Sequence, residues 1–243
     1  MPPERSTLAC LLLLAGMSAA ADEAVQARAL LVPEHEAALA APMAGRVLEI
    51  TRREGEAFAK GELLVRFDCA VLEATQRRHR AELGAARRVL DARRRLYRLS
   101  SSSELELALA ESEVEKAAAQ LELVQAQLAD CRIEAPYAGR VERREARAYE
   151  AVAAGQPLLR VLDDRAIEIR INAPSAWLRW LQPGAAFTVA IDETGATHAA
   201  RLERLNARVD AASQTIELIA RFTEARPAGL LAGMSGVARF TPP

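Results

Sequence analysis

Aromatic residues are scarce in this sequence: five Phe, two Trp and three Tyr among 243 residues. One large aromatic core is therefore excluded, and the abundant Ala, Leu and Arg suit helices packed through small side chains. Lysine is nearly absent, with Lys60 and Lys116 standing against thirty arginines. Histidine is limited to His35, His79 and His198, and the methionines beyond the leader to Met43 and Met234. They are scattered and form no ligand cluster with metal spacing. A net charge of −1 gives no global field to recruit nucleic acid or anionic membrane. No Ser/His/Asp arrangement, phosphate-cradling loop or carboxylate pair in an evident pocket points to an enzyme, and nothing calls for a cofactor.

Long hydrophobic runs are also missing. The apolar stretch Leu8 to Ala15 is too short to span a bilayer. With Arg5 before it and Ala19-Ala20-Ala21 after it, residues 1–21 read as an export signal cleaved before Asp22; an uncleaved anchor is the alternative. Of three cysteines, Cys10 lies in that signal, so the mature chain keeps Cys69 and Cys131. An oxidising compartment permits them to pair; two buried thiols are the alternative.

What is present is a repeat. Ala41-Pro42-Met43-Ala44-Gly45-Arg46-Val47 returns as Ala135-Pro136-Tyr137-Ala138-Gly139-Arg140-Val141, an offset of 94 that also matches Gly61 to Gly155. Residues 38–68 and 132–164 are thus two copies of one unit of short strands broken by glycine turns. Neither half buries a core alone, so the halves are expected to pack face to face as one β-sandwich.

Residues 69–131 stand between the copies. In the second half of this stretch, Leu107, Ala110, Val114, Ala117, Leu121, Val124 and Leu128 keep 3-4 spacing without a break. In the first half the same spacing runs from Cys69 through Leu72, Gln76, His79, Leu83, Ala86, Leu90 and Arg93 to Tyr97. A second apolar stripe follows Ala85, Val89, Ala92 and Leu96. Two helices of equal length, each roughly 45 Å at about 1.5 Å per residue, predict an antiparallel coiled-coil hairpin. Nine arginines on the first helix and seven acids on the second favour this pairing over self-pairing of like helices. Ser101 with Glu104, or Ser103 with Glu106, has capping-box spacing at the start of the second helix. Both cysteines fall on the seam at the hairpin's open end, where a disulfide is geometrically natural.

Residues 22–37 contain one strand, Val25 to Val32, ended by Pro33 and lent to a distant sheet. From 165 to 243 about five strands alternate, beginning with Ala166 to Asn172. A short helix capped by Ser175 precedes Pro183-Gly184. This predicts a small barrel closed by the strand at 25–32, with Trp177 and Trp180 plugging its core rather than binding a ligand.

The repeat motifs, the Gly55/Gly61 pair, the split at Asp68, Ile133-Glu134-Ala135-Pro136, Ser213-Gln214-Thr215 and Gly233-Met234 together resemble the periplasmic adaptors of bacterial efflux and secretion, the HlyD-like membrane fusion proteins. The resemblance covers nearly all of the mature chain. It implies a mainly β protein: a lipoyl-like β-sandwich split by a coiled-coil hairpin, plus a β-barrel domain. It also implies a periplasmic protein, held at the inner membrane through its transporter, that bridges an inner-membrane transporter to an outer-membrane channel as a homo-oligomer. In such adaptors an Arg, a Leu and a Ser at the hairpin tip engage the channel; Arg95, Leu99 and Ser101 match, on a tip about five residues shorter than the family pattern. Two other classes stand beside this reading: a structural coiled-coil scaffold of the envelope, and a lipoyl or biotin carrier. A carrier presents its modified lysine at the turn between the halves, and neither Lys60 nor Lys116 lies there.

Overall fold

The computed structural model describes residues 24–224 and 229–242; the expected export signal, residues 1–21, lies outside them. In chain order the elements are β1 (Val25–Pro33), β2 (Glu36–Ala40), β3 (Gly45–Ile50), β4 (Ala57–Phe58), β5 (Leu63–Phe67), α1 (Ala70–Arg98) and α2 (Glu104–Ala129). There follow β6 (Arg132–Glu134), β7 (Gly139–Arg144), β8 (Ala151–Val152), β9 (Pro157–Leu162) and β10 (Ile167–Pro174). The chain ends with β11 (Ala186–Ile191), β12 (Thr197–Asp210), β13 (Thr215–Phe222) and β14 (Ser235–Phe240). They form two compact units. Among the described residues, one comprises 31–168 and 229–234; the other comprises 24–30, 169–224 and 235–242.

In the first unit the repeat folds as two four-stranded sheets, ordered β2-β9-β7-β4 and β6-β5-β3-β8. The expectation of one half per sheet is not met. Each sheet takes two strands from each half, so the copies exchange strands across a pseudo-twofold instead of facing each other. The reason lies in the hydrogen bonds at the turns: Gly55 N–H donates to the Val141 carbonyl at 2.8 Å, and Tyr149 N–H to the Val47 carbonyl at 2.7 Å. These are the same bond, displaced by 94 residues and running in the opposite sense between halves. Both sheets share one core around Val47, Leu64, Phe67, Val141, Leu158 and Val161, each at most 2% exposed. Burying a Leu or Phe of this kind contributes about 1.5–3 kcal/mol.

Four tight turns shape this unit, and they are alike. In Arg53–Glu56, Ala59–Glu62, Arg147–Glu150 and Ala153–Gln156 the last N–H donates to the first carbonyl. The last side chain then accepts from the first N–H, at 2.8, 3.0, 2.9 and 3.1 Å respectively. The third residue has positive φ, the requirement of a type II turn. It is Gly55, Gly61 and Gly155 in three turns, and Tyr149, at φ 68°, in the fourth.

α1 and α2 pack on each other, and the burial pattern selects the more polar of the two stripes on α1. Leu83 and Leu90 are buried, with Leu72, Gln76, His79, Ala86 and Arg93 half-buried, while Val89 of the second stripe is 54% exposed. On α2 the predicted residues turn inward throughout, with Ala117 and Val124 buried. His79 accordingly sits on the seam, 2.8 Å from the Glu82 carboxylate.

The second unit is a closed six-stranded barrel, ordered β1-β10-β13-β12-β11-β14. β1 supplies the sixth strand, antiparallel to β14 from Val25↔Phe240 to Leu30↔Ser235. Register shifts within β12, between Leu202 and Arg204 and between Leu205 and Val209, bend the sheet as closure demands. The helix at Ser175–Arg179 is a 3-10 turn, and Ser175 does not cap it: Pro174 holds the cap position with no side-chain bond. The Ser175 N–H instead donates to the Gln214 carbonyl at 2.8 Å. Trp177 is buried edge-on against Phe240, their ring centres 5.6 Å apart, and Phe240 stacks on Phe187 at 4.3 Å. Trp180 packs less closely, 6.4 Å from Phe240.

Candidate functional site: the ends of the helix pair

The tip is built by two interlocked caps. α1 ends in a Schellman motif: Ser100, at φ 55°, donates its N–H to the Tyr97 carbonyl, and Ser101 N–H donates to Leu96, both at 2.9 Å. α2 begins at Ser103, whose hydroxyl accepts from the Glu106 N–H at 3.2 Å while Glu106 accepts from the Ser103 N–H at 3.1 Å. This is the capping box, and it resolves the choice between the two serine–glutamate pairs in favour of Ser103 and Glu106. Bonds from the Ser102 hydroxyl and the Ser103 N–H, with Arg93 nearby, hold the Glu106 carboxyl below the usual carboxylate range. Replacing Ser103 by Ala should destabilise the helix start by about 1 kcal/mol. Hydrogen exchange of the Glu104 to Leu107 amides will report it; unchanged protection there would refute the capping role.

Arg95, Leu99 and Ser101 are all exposed at this reversal, Leu99 at 72%. Arg95 stands in the last turn of α1, four residues before Leu99, the residue at the C-cap. The Ser101 hydroxyl donates to the Leu99 carbonyl at 3.2 Å. Leu99 and Ser101 are thus brought together, and Arg95 lies one turn below. Two ion pairs cross between the helices close to the tip, Arg93–Glu106 at 3.4 Å and Arg94–Glu111 at 2.9 Å. Surface pairs of this kind contribute well under ~1 kcal/mol each, so the charge asymmetry of the helices selects the partner more than it stabilises the pair.

At the other end Cys69 and Cys131 are joined in a disulfide, with their Cα atoms 6.2 Å apart and both residues buried. They are part of the core of the β unit, where Leu72 of α1 and Leu128 of α2 pack beside them. The three histidines are apart, each against a local neighbour: His79 with Glu82, His35 beside Tyr137 and His198 beside Phe222. Among the described residues no group of three His, Cys, Asp or Glu side chains is placed to hold a metal ion, and no helix is long and apolar enough to cross a membrane.

Sequence reasoning missed Tyr149. It is 75% exposed and occupies a left-handed conformation that costs a residue with a side chain roughly 1–2 kcal/mol. The signal was present in the repeat, since position 149 aligns with Gly55 at the offset of 94.

The architecture is that of the membrane fusion proteins: a closed barrel, and a duplicated β unit that carries a helix pair between its halves. The likeness extends over nine-tenths of the chain. It covers 90% of this chain and 82% of a MacA–MexA chimera containing the Pseudomonas aeruginosa MexA α-hairpin domain, with a TM-score of 0.79 at 18% identity. It covers 90% of this chain and 99% of the membrane fusion protein Spr0693 of Streptococcus pneumoniae R6, with a TM-score of 0.75 at 16% identity. In sequence the chain is 26% identical over 214 residues to the nickel-cobalt-cadmium resistance protein NccB of Alcaligenes xylosoxydans xylosoxydans, covering 83% of this chain and 53% of NccB. The chain spans about half the length of the curated relatives it matches. No protein-family model matches it.

Proposed function

We propose that this protein is a periplasmic adaptor that links an inner-membrane transporter to an outer-membrane channel. The observation that carries the proposal is the helix pair itself: 29 and 26 residues long, fixed at its base in the β core, and ending in an exposed, doubly capped turn. In this reading the helix pair is an antiparallel coiled-coil hairpin acting as spacer and docking arm, and the β unit is a lipoyl-like domain without a carrier lysine. Residues 38–68 and 132–164 form that domain, 69–131 the hairpin, and 165–243 the barrel domain joined by the strand within 22–37. The chain reaches the periplasm by its export signal, works as a homo-oligomer, and performs no catalysis. Arg95, Leu99 and Ser101 form the channel-docking surface. The likeness to membrane fusion proteins supports the role.

A photo-crosslinking residue at Leu99 should capture an outer-membrane channel in intact cells, and one at Arg179 of the barrel an inner-membrane transporter. Adducts only between copies of this chain would instead support the envelope scaffold. Arg95→Glu should lower export at least tenfold while leaving the melting temperature unchanged. Normal export by that variant would remove Arg95 from the docking surface.

A further inference from the structure

The bridge between Cys69 and Cys131 joins two helix ends of opposite polarity. Cys69 holds the N-cap position of α1, and its side chain makes no capping bond. It stands at the positive end of a 29-residue helix, where negative charge is favoured. Cys131 follows the C-terminal end of α2: its N–H donates to the Leu128 carbonyl, and its sulfur lies 3.9 Å from the Gln127 carbonyl oxygen. Negative charge is disfavoured there. The two sulfurs of one bridge therefore differ as leaving groups, and Cys69 is the better one.

A recess of about 350 Å³ opens at the bridge, lined by Cys69 and Cys131 with Arg66, Arg132, Asp68 and Glu73. Asp68 is already matched by Arg46 at 2.7 Å. A space of this size suits a small molecule. The two half-cystines are only 7% and 6% exposed, too little for the face of a folded protein to reach them. The base of the helix pair also has a second tie. Arg66 pairs with Arg132 in the β5–β6 ladder, and the Phe67 N–H donates to the Cys131 carbonyl at 2.9 Å. Opening the bridge therefore leaves the strands joined, and what it frees is the first turn of α1 and the last turn of α2.

We propose that this bridge is a redox-sensitive hinge, opened in the folded chain by a small dithiol that enters the recess and attacks Cys131. The reductant's thiolate forms a bond to the Cys131 sulfur, and the bond to Cys69 breaks with its electron pair on the Cys69 sulfur. The reductant's second thiolate then attacks its own sulfur in the mixed disulfide and releases Cys131. The dithiol gives up two electrons and two protons and ends as a cyclic disulfide; the chain ends with two thiols. Oxidised, the helix pair is fixed in the β core; reduced, it turns at its base. The hinge does not depend on what the tip docks with. Its test reads the bridge alone, so loss of the adaptor reading leaves it standing.

The test follows reduction of the folded, oxidised chain by dithiothreitol, with thiols counted by alkylation and mass. The rate should rise in proportion to dithiol concentration and stay within about twofold as urea is added below the unfolding transition. A rate that saturates at the speed of unfolding overturns the proposal. A protein reductant of the Cys-x-x-Cys type should act more slowly than dithiothreitol at equal concentration; a faster one overturns the choice of a small thiol. With glutathione and iodoacetamide present together, the glutathione adduct should fall on Cys131 and the alkyl group on Cys69, by roughly tenfold over the reverse. An even split or the reverse overturns the assignment of roles. Arg132→Glu should slow the attack of glutathione, an anionic thiol, by roughly threefold; an unchanged rate would show that the recess is not the way in. In the reduced chain, hydrogen exchange should quicken roughly tenfold at residues 71–73 and 128–131 and stay the same at Val65 and Phe67. Unchanged exchange at both helix ends would remove the hinge.

Discussion

A variant with Cys69 and Cys131 both replaced by Ala is expected to lose about 4 kcal/mol of stability in urea denaturation. The magnitude follows from the loop: the bridge joins residues separated by 62 positions, and cross-linking so long a segment removes much of the unfolded chain's freedom. The crossed loop contains the whole helix pair, so the bridge restricts the ensemble in which α1 and α2 have separated. Both sulfurs lie in the β core, and losing them also leaves small gaps that add to the effect. Reductant should shift the parent chain's unfolding midpoint toward that of the variant and leave the variant unmoved. A loss below about 1 kcal/mol would mean that the unfolded chain is already constrained without the bridge.

The second large effect separates two glycines that the repeat makes equivalent. Gly139→Ala is expected to destabilise the protein by about 3 kcal/mol or more, whereas Gly45→Ala should change stability by less than about 1 kcal/mol. A Cβ on Gly139 would overlap the Leu162 carbonyl oxygen, with its carbon 2.9 Å and the Asp163 Cα 3.2 Å away, backbone atoms at and just past the end of β9, the strand paired to β7. A Cβ on Gly45 would meet only the edge of the Phe67 ring, at an ordinary 3.6 Å. Urea midpoints of the two single variants check the difference. Equal losses at both sites would show that the backbone beside Gly139 moves aside.

Much of this was legible in the sequence, and the residues show why. The 3-4 spacing from Leu107 to Leu128 defined the inner face of α2 because apolar side chains at that period have only one way to leave water together. α1 offered two stripes, and the polar one faces inward. Cys69 and Leu72 at its base are tied into the β core, which fixes the rotation of the whole helix, and Val89 and Leu96 are left outside. The cap was ambiguous because Ser101 and Ser103 have equal spacing to a glutamate; the Schellman bonds that end α1 use Ser101 and leave Ser103 to begin α2. The repeat made Gly45 and Gly139 equivalent but carried no information about which strand lies beside each. Strand exchange between the halves was hidden for the same reason. At the tip, Arg95, Leu99 and Ser101 were found through resemblance, while Tyr149 needed the turn's geometry before its mismatch with Gly55 had meaning.

The exchange of strands between the halves sets the order in which the molecule assembles. β2 has its partner in β9, and β3 pairs with β8, so neither sheet is completed by residues 36–67 alone. The first half of the β unit must wait, unpaired at its edges, until more than ninety further residues have been made. In that interval only the helices between the halves have all their partners to hand. Their contacts are local and close at a low entropic cost, and the paired helices hold the ends of the two halves close together. The insertion thus shortens the effective distance over which the long-range sheet must close, offsetting a delay that its own length creates.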